Sequence, residues 1–101
     1  MTGLMTFSPT MQISVERQPG GDRLTDLGVF DWPIWTKAAS TFPWAYSEAE
    51  TCYFLAGEVV VTPVDGAPVK MGAGDLVRFP AGMSCTWQIL LDVKKHYHFG
   101  D

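Results

Sequence analysis

Glu50, Cys52, Cys85, Lys95 and the pair His96-x-His98 are the side chains of this 101-residue chain best equipped for chemistry. A carboxylate can move protons or hold a cation, a thiolate can attack carbon or bind a soft metal, and histidines two apart on a strand share one face. Their surroundings narrow these options. Cys52 and Cys85 lack CxxC spacing, which fits two reduced, packed thiols better than a disulfide framework. No base is recognisable beside Cys85, so an inert thiol is expected there. His96 and His98 have no third ligand in view and are expected to be a surface pair.

Short strands must position these groups. From Val29 onward the text alternates strand and turn, with breaks expected at Gly57, Asp65-Gly66, Gly72 to Asp75, Pro80 to Gly82 and Asp92. A further strand is expected at 13 to 17. "RLTDLGVFDWPIW" holds at most one helical turn, Leu24 to Leu27, before Gly28 ends it. Many short strands at this spacing predict an all-β barrel or sandwich. Residues 1–11, small and polar with one proline, read as a flexible N-terminal arm, and 12–101 as a single domain. In "DWPIW", Trp32 and Trp35 stand an odd step apart; one is expected in the barrel and the other over an edge or against a partner subunit.

Composition removes several function classes. With 47% hydrophobic and 18% charged residues the chain should fold into a globular domain. Its net charge is −4 and its seven Lys and Arg are scattered apart from Lys94-Lys95, so no basic stripe predicts a nucleic-acid partner. No run approaches the roughly 20 apolar residues of a membrane helix, and "MTGLMTFSPTMQ" does not read as a signal peptide. A cytoplasmic protein without a membrane partner is expected.

Glu50 is followed after six residues by Gly57, and Gly74 after five by Pro80-x-Gly82. This order resembles the two motifs of the cupin superfamily, in which two histidines and a glutamate from the first motif and one histidine from the second bind a metal. The resemblance implies a double-stranded β-helix, or jelly-roll, barrel of two antiparallel sheets. It places the histidine positions at Trp44, Tyr46 and Cys85 and keeps only Glu50 as a usual ligand. The strings "WPIW", "FPWAY", "ETCYFLAGEVVVT", "GAGDLVRFPAGMSCTW" and "KKHYHF" are similar to small single-domain cupins related to the cupin domain of (S)-ureidoglycine aminohydrolase. Those enzymes imply a manganese-dependent release of ammonia from a ureide. Glu50 and Cys85 alone offer too few ligands for a usual catalytic site. No cofactor is therefore expected; a recruited manganese, zinc or iron would have to use those two.

Strand parity describes the expected pocket independently. With Glu50 facing inward, Cys52 and Phe54 share its face, Trp44 and Tyr46 precede it, and Cys85, Trp87 and Ile89 form a second inward row. In "VKKHYHF" the row Val93, Lys95, Tyr97, Phe99 is the more apolar, which turns Lys95 and Tyr97 inward. A buried carboxylate needs a partner or a proton; Lys95 and Arg78 are the candidates, and Glu50–Lys95 is the preferred pair. The expected ligand pocket is thus Trp44, Tyr46, Glu50, Cys52, Phe54, Cys85, Trp87, Lys95 and Tyr97. Aromatic walls with few polar groups suit a small organic molecule. Two alternatives stand beside binding: a ureidoglycine aminohydrolase-like hydrolase with Glu50 as acid or base, and an interaction domain. A homodimer is expected under any of the three.

Overall fold

The computed structural model describes residues 12–100. The arm expected over 1–11 lies outside the described residues. Seven strands follow in chain order: β1 (Ser14–Arg17), β2 (Ile34–Lys37), β3 (Ser40–Ala45), β4 (Glu50–Pro63), β5 (Val69–Gly72), β6 (Asp75–Phe79) and β7 (Ser84–Phe99). All pairings are antiparallel. The fold is the expected jelly-roll barrel, and two strands build most of it. The first half of β4 lies between β6 and the second half of β7, while its second half lies between β5 and the first half of β7. β1 extends the first layer beyond β6 and β2 extends it beyond β7; β3 borders the second layer. The long strands therefore cross from one layer to the other.

The crossing explains why two expected breaks are absent. Gly57 and Asp92 were expected to end strands, yet β4 and β7 continue past both, with register shifts between Phe54 and Val59. Irregular pairing bends a strand without ending it. Gly57 sits at the bend with φ 110°, and a Cβ there would lie 2.8 Å from both the Asp92 carbonyl oxygen and the Val93 Cα. Only glycine tolerates that conformation and that approach together. Downstream, Asp75 closes the turn into β6: its Oδ2 accepts from the Gly72 N–H at 2.9 Å and from Arg17 Nη1 at 2.7 Å.

Two further differences concern residues 21–33. The helix α1 spans Gly21–Leu27, longer than the single turn expected, and ends as expected at Gly28 in the left-handed region. "VFD" then forms a 3-10 turn, Val29–Asp31, where strand was expected. Leu24 and Val29 pack with Leu76, Trp32 and Tyr53 in a small cluster separate from the main core. Tyr53 and Leu76 are paired neighbours on β4 and β6, so this segment covers the outer face of the first layer.

The main core fills the space between the layers. Cys52, Phe54, Val59, Val61, Val77 and Phe79 are fully buried, with Met71, Trp87, Ile89 and Val93 nearly so. Each large apolar side chain so buried contributes about 1.5–3 kcal/mol. Among the described residues no helix is long and apolar enough to cross a membrane.

Candidate functional site

Between the layers, on the side bordered by β2 and β3, lies a cavity of about 580 Å3. Its walls are mostly aromatic because strand parity turns the rings inward. Trp35 comes from β2, Phe42 and Trp44 alternate on β3, and Trp87, Tyr97 and Phe99 come from β7. Phe42 stacks on Trp87 with centroids 6.1 Å apart, and Trp35 meets the same indole edge-on at 6.0 Å. Offset and edge-on contacts of this kind hold rings in fixed orientations.

One charged pair lies in this aromatic lining. Lys95 Nζ donates to Glu50 Oε2 at 2.7 Å, and both residues are at most 4% exposed. Register puts the two on one face: Glu50 opposes Phe99 and Phe54 opposes Lys95 across β4 and β7, so the ion pair reaches across the intervening Cys52–Tyr97 pair. Four rings surround the ammonium, those of Trp87 (4.7 Å to the centroid), Trp35 (5.0 Å), Phe79 (5.9 Å) and Phe54 (6.0 Å). Lys95 thus meets a carboxylate on one side and several negative ring faces on the others. Arg78, the other candidate partner, faces outward and donates to Thr51 Oγ1 at 3.3 Å.

Tyr46 stands next to the pair. It stacks on Phe79 at 5.0 Å, and its phenol oxygen accepts from Trp87 Nε1 at 3.1 Å. Burial first, and then the Glu50 charge, push the phenol far above its usual pKa, with the Trp87 hydrogen bond acting the other way. The group is therefore a neutral hydroxyl at ordinary pH.

The structure distributes the sequence-identified residues unevenly. Trp44, Tyr46, Glu50, Trp87, Lys95 and Tyr97 line the cavity. Trp44 does so from the mouth, since it is 48% exposed rather than enclosed. Cys52, Phe54 and Cys85 were expected in the lining but belong to the packed core behind it. Their parity is inward, but each is at most 4% exposed and none reaches the cavity lining. Burial pushes the Cys52 thiol up to about 12, above the lowering effect of Lys95, and burial with the Glu50 charge pushes Cys85 up to about 11. Cys85 donates weakly to the Trp44 carbonyl at 3.5 Å.

His96 corrects the expectation of a surface pair. It is buried, its Nδ1–H donates to the Trp32 carbonyl at 2.9 Å, and Phe30 meets its ring edge-on at 5.8 Å. The cause is the cover formed by α1 and the 3-10 turn. His98 remains exposed, stacked on Trp32 at 5.3 Å. Trp35 packs against the barrel core as expected of one of the two tryptophans, while Trp32 joins the cover on the outer face of the first layer rather than an edge.

Lys37 was missed by the sequence reading and lines the mouth with its ammonium 5.1 Å from the Phe42 centroid. The signal was present: Trp35 and Lys37 share parity in "IWTK", as Phe42 and Trp44 do in "TFPWA". What parity cannot show is that β2 and β3 border one opening.

The donor set does not fit a divalent metal. The histidine positions of the motif hold an indole, a neutral phenol and a neutral thiol, while one Glu50 oxygen is occupied by Lys95. Among the described residues no three His, Cys, Asp or Glu side chains converge.

A family model described as the EutQ-like cupin domain matches residues 24–97. A DUF861-family protein from Thermotoga maritima is 44% identical, with a TM-score of 0.84 over 87% of this chain and 99% of that one. The Clostridium difficile EutQ protein is 21% identical with a TM-score of 0.60, covering 66% of this chain and 52% of that one. A DUF861-family protein from Pseudomonas syringae is 22% identical, also at 0.60, over 65% and 28%. These last two likenesses concern the fold alone. No curated protein matches the chain.

Proposed function

Since the chain belongs to the EutQ-like cupin family, we propose that it uses this barrel to bind a small organic molecule, without a metal at the usual cupin position. One observation carries the reading: an open cavity of about 580 Å3 with aromatic walls and the buried Glu50–Lys95 pair. A barrel serving only as a structural core would fill that space with its own side chains, because interiors pack at crystal-like density. The volume lies within the range of small-molecule sites, and apolar walls with a few fixed polar groups suit such guests. Glu50 offers an acceptor and Lys95 a donor. A head group able to give and take hydrogen bonds at once, such as an amide, ureide or carboxylic acid, can use both.

A thermal-shift screen of ureides, amino acids and small carboxylic acids tests this. A ligand at about 100 times its Kd adds about 2.7 kcal/mol, which raises Tm by about 10–20 °C in a domain of this size. Stabilisation by one chemical class, lost in Glu50→Gln, is the expected result. No stabilisation by any class would overturn the reading. Ammonia released from a ureide in the same assay, and abolished in Glu50→Gln, would replace binding by hydrolysis with Glu50 as acid and base.

A further inference from the structure

Among the described residues, three charged side chains line the cavity: Lys37, Glu50 and Lys95. Glu50 and Lys95 neutralise one another at 2.7 Å. Lys37 has no such partner, for among the described residues no carboxylate oxygen lies within 4 Å of its ammonium. The nearby Asp92 is committed to the backbone, accepting from the Ala39 N–H at 2.9 Å in the link between β2 and β3. That bond fixes the strand end carrying Lys37, and the contact with Phe42 directs the side chain along the opening. The lining therefore carries one uncompensated positive charge, placed at the mouth.

From this arrangement we infer that Lys37 selects the ligand, and that the ligand is a flat, apolar-bodied organic monoanion. The inference rests on the binding function proposed above and specifies its ligand class. The walls accept a flat body, since Trp44, Phe42 and Phe99 present ring surface at or near the opening. A cationic guest is disfavoured twice. The ring faces that would receive it already surround the Lys95 ammonium, and Lys37 repels it at the entrance. The chain as a whole is negative, at −4, which repels anions at long range. Attraction must then act locally, over distances that salt screens only in part.

The test compares 1-naphthylacetate with its uncharged analogue 1-naphthylacetamide by isothermal titration at pH 7, on the wild-type protein and on Lys37→Met. Lys37 is exposed and outside the core, so the variant retains the fold. The acid should bind the wild type about tenfold more tightly than the amide, as expected for one partly solvated charge contact. In Lys37→Met the acid should lose its advantage, so that the two bind alike. Equal affinities in the wild type, or an acid preference that survives in Lys37→Met, would overturn the charge selection and leave the cavity's binding role standing. Binding of neither probe, with no hit in the wider screen, would overturn both.

Discussion

Replacing the two members of the buried pair should have unequal effects. Lys95→Met removes the ammonium and leaves the Glu50 carboxylate, 3% exposed, without its partner. Breaking a buried ion pair from one side typically costs about 3–5 kcal/mol, and this change should sit near the top of that range. Glu50→Gln instead leaves the ammonium among four rings at 4.7–6.0 Å and supplies a neutral amide oxygen at the same distance. Cation–π contacts of about 0.5–2 kcal/mol each keep part of the charge stabilised, so about 2 kcal/mol is expected. The double variant removes both charges and should be more stable than Lys95→Met alone, because methionine packs well against rings. Urea denaturation of the four proteins at pH 7 closes the cycle. Equal losses from the two single changes, or a double variant less stable than Lys95→Met, would refute the picture of an ammonium supported by rings and a carboxylate supported by the ammonium alone.

The remaining expectations are simpler. Both thiols should resist a disulfide reagent at pH 8 in the folded protein and react on unfolding, since burial raises them from 9.0 to about 12 in Cys52 and about 11 in Cys85. A raised folded pKa adds stability that is complete below the unfolded value and is lost as pH rises through the folded one. Denaturant midpoints should accordingly fall from about pH 9 upward, and the slope should flatten in Cys52→Ala/Cys85→Ala. Trp44→Ala at the mouth should change stability by under about 1 kcal/mol while weakening ligand binding, whereas Trp87→Ala in the core should cost about 3–5 kcal/mol; paired melting and titration curves separate them. Gly57→Ala sets a methyl group against backbone at 2.8 Å and should cost more than about 3 kcal/mol, or prevent folding, as circular dichroism would report.

Much of the barrel was legible because its rules are local. Period-two alternation turned Glu50, Trp87 and Lys95 inward, and glycine, proline and aspartate marked the turns at 65–66, 72–75 and 80–82. Where two residues meet only through the fold, the same rules misled. Parity correctly separated His96 from Lys95, but an outward face need not be a wet one, and Leu24, Val29 and Phe30 arrive from elsewhere in the chain to cover it. Gly57 carries the composition of a strand end and marks a bend instead, because β7 pairs with β4 on both sides of it. Trp44 has the parity of a pocket residue, yet among the described residues β3 pairs only with β7 and borders the opening, so its indole stays half in solvent. Cys52 and Cys85 share the pocket's face yet are packed into the core and do not line the cavity.

Because β2, β3 and β4 all hydrogen-bond to β7, the segment that organises the barrel is the last of the seven to leave the ribosome. Until it emerges, β2 and β3 lack the strand they pair with, and the sticky inner faces of β4 to β6 wait without cover. A nascent chain of this design should gain protease resistance in a single late step rather than strand by strand, and stalled translation short of residue 99 should release a chaperone substrate instead of a partial barrel.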